Sequence, residues 1–198
     1  MKTVIGIILD RSGSMSGRET DVIGGVNKFL SEQKKIKGQC SLGMYRFDTD
    51  FEAFRAPAPL AQVADLEPQE YVPRGGTALI DAVGKTIALL DESIAESKAG
   101  KVIVLIFTDG EENSSREMTS DQVKALIAAR QKKNWTFLYF GANVDKFNNR
   151  TYNAHAAASM SLGIGSTGAT GATAGVGQMY VQASTTVGLI RNGQAAIL

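Results

Sequence analysis

The chain has 198 residues, enough for one α/β domain with a sizeable core. Its hydrophobic fraction is 43%, its charged fraction 21% and its net charge +1. That balance gives no support to a nucleic-acid binder or a protein held on an acidic membrane surface. Cys40 is the only cysteine, so no intrachain disulfide can form.

Val4 to Leu9 is apolar at nearly every position and predicts a strand buried on both faces, as in the centre of a parallel sheet. A helix is expected from about Glu19 to Lys34, with Val22, Ile23, Val26, Phe29 and Leu30 as its apolar stripe. The small cationic cluster Lys34-Lys35-Ile36-Lys37 suits its C-terminal end. Cys40 to Phe47 reads as the next strand. Asp48-Thr49-Asp50 reads as a turn into Phe51 to Arg55, and the short connection favours an antiparallel pair. Pro57 and Pro59 are expected to end that strand at a sheet edge. Residues 60–76 form a longer connection with one helical turn around Val63 to Leu66.

Ile80, Val83, Ile87, Leu90 and Ile94 then recur at helical spacing. Val102 to Phe107 is a second fully apolar strand. Thr119 or Ser120 caps a helix through about Lys132 that turns Val123, Leu126 and Ile127 inward. Trp135 to Phe140 is a further strand. Alternating strands and helices predict an α/β fold: a doubly wound, mostly parallel sheet with one antiparallel edge strand and helices on both faces. Beyond residue 145, Tyr152 to Leu162 reads as a helix, and Gly165 to Gly177 as a low-complexity connector or short edge strand. Val176, Tyr180, Ala183, Val187 and Ile190 mark a closing helix on the sheet. Residues 1–198 are read as one domain.

Chemistry concentrates where the two apolar strands end. Asp10-Arg11-Ser12-Gly13-Ser14 follows the first, and Asp109 follows the second. Thr77 follows Arg74-Gly75-Gly76 at a helix start. In a doubly wound sheet, ligands bind beyond the carboxyl ends of the strands. If the two strands are neighbours, both carboxylates emerge at one edge. Asp10, Ser12, Ser14, Thr77 and Asp109 are all hard oxygen donors, suited to Mg²⁺ and also to Mn²⁺ or Ca²⁺.

These three segments resemble the metal-ion-dependent adhesion site of the von Willebrand factor type A family, a Rossmann-like fold, over residues 1 to about 145. The runs Leu9 to Gly17, Arg74 to Gly84 and Thr108 to Ser114 are similar to compact stand-alone bacterial and phage members. The resemblance implies that Ser12, Ser14 and Thr77 coordinate the metal directly, while Asp10 and Asp109 act mostly through bound waters. It also implies a protein partner that supplies a Glu or Asp carboxylate, so the site is expected to dock rather than to catalyse.

Two other classes compete. One is a structural or assembly component, such as a virion protein, with the fold as scaffold. The other is a metal-dependent hydrolase, which lacks a convincing general base. The P-loop pattern is absent from the sequence, while the Gly75-Gly76 helix start could receive a phosphate. Other polar residues have plainer readings. Glu111 and Glu112 read as exposed loop acids, with a place on the rim of the site as the alternative, Asp48 and Asp50 as turn residues, and Asp81 as a solvent-facing or capping residue. His155, the only histidine, has no obvious catalytic partner. Met15, Cys40 and Met44 read as packing groups. Asn149-Arg150-Thr151 matches the glycosylation pattern. The first apolar run is too short for a signal segment, so the expected location is the cytoplasm, with a virion-associated protein as the alternative.

Overall fold

A strand buried on both faces needs a neighbour at each edge and a layer above and below. β1 (Thr3–Asp10) is buried along its whole length and has all four. A computed structural model describes residues 2–97, 99–109, 111–141 and 171–194. The other strands are β2 (Cys40–Phe47), β3 (Phe51–Pro59), β4 (Lys101–Phe107) and β5 (Trp135–Phe140). The helices are α1 (Glu19–Lys35), α2 (Leu79–Ser97), α3 (Ser120–Gln131) and α4 (Gly171–Arg191).

The sheet order is β3-β2-β1-β4-β5. β1 runs parallel to β2, with Ile5 opposite Leu42, and parallel to β4, with Ile5 opposite Ile103. β5 is parallel to β4, and β3 alone is antiparallel, paired with β2. The predicted fold class is therefore observed. The period-two alternation of β1 divides the core. Ile5, Ile7 and Leu9 face α1 and α4, whereas Val4 and Ile8 face α2 and α3.

Several expectations change in detail. β3 does not stop at Arg55 but continues through Pro57 to Pro59. As an edge strand it needs ladder bonds on one side only, and register shifts against β2 absorb the rest. The helical turn expected at Val63 to Leu66 is absent. Asn27 of α1 instead takes both backbone groups of Leu66: its Oδ1 accepts from Leu66 N at 2.7 Å, and its Nδ2 donates to Leu66 O at 3.0 Å. Single 3₁₀ turns lie on either side, at Leu60–Gln62 and Pro68–Glu70. Residues 171–177, read as part of a connector, belong to α4. Packing of its apolar side chains on α1 outweighs the poor helix propensity of glycine. The Tyr152–Leu162 helix, His155, the Asn149–Thr151 pattern and residues 165–170 lie outside the described residues.

Other expectations stand as made. Val176, Tyr180, Ala183 and Val187 are buried, and Met15 and Met44 are core residues. Thr119 caps α3, accepting from Gln122 N while the Gln122 side chain returns to Thr119 N. Cys40 is half-buried against the core, and burial pushes its thiol pKa up against the opposing charge of Arg191.

Tyr45 carries a fault in this core. Its ring is fully buried, its hydroxyl has no hydrogen-bond partner among the described residues, and burial pushes its pKa up to about 12. Leaving a buried donor unpaired costs roughly 1–3 kcal/mol. Tyr45→Phe is expected to raise stability by about 1 kcal/mol in chemical denaturation; a loss would mean that the hydroxyl is satisfied in solution.

Candidate metal centre

The chain leaves β1 for β2 on one side and, after α2, comes back to β4 on the other. A crevice therefore opens at the carboxyl ends of β1 and β4, where the strand order reverses. Asp10 ends β1, and Asp109 follows β4 after Thr108.

Asp10 is 1% exposed. Its Oδ1 accepts from Ser12 N at 2.7 Å, and its Oδ2 accepts from Thr108 Oγ1 at 2.5 Å. The carboxylate thus fastens its own loop to the end of β4. The Ser12 and Ser14 hydroxyls lie 3.1 Å apart, and Ser14 Oγ donates to Asp109 Oδ1 at 3.3 Å. Ser12 is buried and Ser14 exposed, so the row runs from the interior to solvent. The third loop is joined to the first through Gly13 N, which donates to Gly75 O at 3.1 Å. Gly75 has a left-handed φ of 64°, and a Cβ on Gly76 would stand 2.2 Å from Ser114 Oγ. Thr77 follows, 3% exposed. Its amide donates to Asn113 Oδ1, and its carbonyl accepts from Asn113 N and Ser114 N. The three segments predicted to form a site are thus brought to one sheet edge and bonded to one another.

Five residues at this edge take roles that the sequence reading did not assign them. Arg18, at the start of α1, forms an ion pair with Asp109 Oδ2. Tyr71 donates its hydroxyl to the Asp10 carbonyl, and burial drives its pKa upward. Asp48, read as a turn residue, is 2% exposed and pairs with Arg11 at 2.8 Å and Arg74 at 2.9 Å. Glu112 is not a free loop acid. It accepts from Ile80 N at the start of α2 and from Ser114 N and Ser115 N. Asp81 is buried rather than solvent-facing, and receives the amides of Arg116, Glu117 and Met118. Glu112 and Asp81 staple the 112–118 segment over the α2 N-terminus, where negative charge is favoured.

The donor chemistry fits a hard divalent cation: two carboxylates and three hydroxyls. Among the described residues no group of three or more His, Cys, Asp or Glu side chains is placed to hold a metal, so hydroxyls must complete any such set here. Arg18 beside Asp109 shows that the acidic end of the crevice already draws positive charge.

Away from the crevice, Arg46 bonds Glu52, and Arg55 bonds Glu70 at 2.6 Å. Burial opposes ionisation of Asp48, but the Asp50 amide, Arg74 and Arg11 outweigh it and hold its pKa below the ordinary 3.8. The hydrogen bond from Arg46 lowers Glu52, and Arg55 lowers Glu70 against its burial, both from 4.5. Each depressed carboxylate stabilises the folded chain above its ordinary pKa, and that contribution is lost as pH falls through the lower folded value. The melting temperature is expected to hold steady between about pH 5 and 7 and to drop below about pH 4. Thermal melts across that range check this, and a flat profile to pH 3 would refute it.

The described chain is a doubly wound α/β sheet with acids and hydroxyls gathered at its switch point. No protein-family model and no curated protein matches the sequence. Solved structures do resemble it. A von Willebrand factor type A protein from Catenulispora acidiphila superposes with a TM-score of 0.56 at 16% identity, over 76% of this chain and 36% of its own. The fold is therefore von Willebrand factor type A-like. The ArnB paralog VWA2 from Sulfolobus acidocaldarius gives a TM-score of 0.48 at 18% identity, over 71% of this chain and 34% of its own. BatB from Bacteroides thetaiotaomicron gives 0.46 at 19% identity, over 70% and 66%. This chain spans about a third of the first two structures.

Proposed function

We propose that this chain is a protein-interaction module that docks an acidic side chain of a partner through a divalent cation. Mg²⁺ is the first choice, with Mn²⁺ or Ca²⁺ as substitutes. One observation carries the reading: the Ser12 and Ser14 hydroxyls, Asp109 and the Thr77 loop are joined in one bonded row at the switch point. Ser12, Ser14 and Thr77 would hold the cation directly, with Asp10 and Asp109 orienting hydroxyls and waters. When bound, a cation whose direct protein ligands are neutral hydroxyls accepts one further anionic oxygen.

The chain's own residues prepare this. Asp10 locks the loop to β4, so the hydroxyls need not be ordered on binding. Arg18 neutralises Asp109 in the free chain and must yield as the site fills. Ser14 is exposed, so the row is reachable from solvent. The role is docking rather than catalysis. Among the described residues no helix is long and apolar enough to cross a membrane.

The test is capture from a host lysate by immobilised wild type and Thr77→Ala, each with Mg²⁺ and with EDTA. A partner held only by wild type with Mg²⁺, and lost when an acidic side chain of that partner is changed to its amide, supports docking. A partner held equally in all four conditions overturns it and favours a scaffold.

A further inference from the structure

Asp48 is more than the turn residue its sequence context suggests. An Asp in a tight turn uses one oxygen on its own backbone, and Asp48 does so: its Oδ1 accepts from Asp50 N at 2.8 Å. The other oxygen serves two arginines from two different loops, Arg11 Nε at 2.8 Å and Arg74 Nε at 2.9 Å. Arg11 stands between Asp10 and Ser12, and Arg74 immediately precedes Gly75-Gly76-Thr77. Backbone bonds repeat the pattern. Arg11 N donates to Phe47 O at 2.8 Å, Ala78 N donates to Asp48 O at 2.8 Å, and Gly76 N donates to Thr49 Oγ1 at 2.8 Å. Arg74 N closes the circuit by donating to Arg11 O at 2.7 Å. The connections from the β2–β3 hairpin to the two loops thus centre on residues 47–49, with one further ion pair from Arg11 to Glu52 at 3.3 Å.

We propose that Asp48 is a positioning residue that couples the Asp10–Ser14 loop to the Arg74–Thr77 loop and so sets the spacing of the hydroxyls before a cation arrives. This rests on the metal reading above for its purpose, but the coupling itself concerns the free chain. One buried carboxylate shared by two guanidinium groups ties the loops together, so losing it loosens both, while the backbone bonds and the Arg11–Glu52 pair remain. The Arg74 side chain is 60% exposed and is not one of the proposed metal-site residues, so its removal tests positioning at little cost to stability.

The experiment measures Mg²⁺ affinity by calorimetry and amide hydrogen exchange without metal, in wild type, Asp48→Asn, Arg74→Gln and Arg55→Gln. Arg55 belongs to the same hairpin but bonds the 64–70 segment instead, and serves as control. Expected are an affinity loss of about 10-fold in Asp48→Asn and Arg74→Gln, a melting temperature only slightly lowered in Arg74→Gln, and wild-type affinity in Arg55→Gln. Exchange should quicken in residues 11–13 and 74–78 together in Asp48→Asn. If only residues 48–50 quicken, or if the two loops respond separately, the coupling is wrong. If wild type binds no Mg²⁺, the metal reading fails, and joint quickening of the loops still decides the coupling. If Asp48→Asn does not fold, Arg74→Gln decides: unchanged affinity and unchanged exchange at 11–13 overturn the proposal.

Discussion

Asp10→Ala is expected to lower Mg²⁺ affinity by about 100-fold while the chain still unfolds cooperatively. The side chain has two tasks, and the structure separates them. Its carboxylate supplies negative charge at the back of the crevice, and it accepts from Ser12 N and Thr108 Oγ1. Truncation removes both, and leaves a buried amide and a buried hydroxyl without that acceptor, at about 1–3 kcal/mol of stability. Asp10→Asn keeps the shape and part of the hydrogen bonding, so it should recover most of the stability but not the affinity. Calorimetry with Mg²⁺ alongside urea unfolding checks the pair. Wild-type affinity in either variant would remove Asp10 from the site.

Tyr180→Ala carries the largest expected cost to the fold, about 3–5 kcal/mol. The ring is 3% exposed, lies on the α1-facing side of the sheet, and stacks on Phe107 with centroids 4.2 Å apart. It fits because position 25 of α1 is glycine: a Cβ there would stand 2.2 Å from Tyr180 Cδ2. Gly25→Ala should therefore cost about 1–3 kcal/mol by overpacking. Combined with Tyr180→Ala, it should cost far less, since the atom it strikes has gone. Additive losses in that double mutant would mean that the helices meet differently in solution. Phe107 leads directly into Thr108 and Asp109, so this packing also steadies one wall of the crevice.

What sequence reading captured follows from local physics. Uninterrupted apolar runs located β1 and β4, and their neighbouring pairing brought Asp10 and Asp109 to one edge. Thr119 or Ser120 marked the start of α3 as a cap, and the structure selects Thr119, which Gln122 answers three residues on. The misses come from partners far apart in the chain. Asp48 reads as a turn because Asp50 is adjacent, while Arg11 and Arg74 lie 37 and 26 residues away. Glu112 and Asp81 look like surface acids until the 112–118 segment folds across the α2 N-terminus. The turn predicted at Val63 to Leu66 lost to a side chain of α1, Asn27, which no pattern within the segment encodes. Glycine composition concealed the start of α4, whose helical state is set by what it packs against.

The bond from Ser14 to Asp109 joins residues 95 positions apart. During synthesis the first half of the crevice leaves the ribosome long before its second half exists. Contacts of such sequence separation form late, because the intervening chain must first be ordered. A nascent chain that ends before Lys101 holds Ser12 and Ser14 but neither Thr108 nor Asp109. Such a chain should not take up metal at this site, and uptake should begin only after β4 has emerged and inserted beside β1. Cation binding would then act as a completion signal for the sheet, appearing only in molecules that have finished folding.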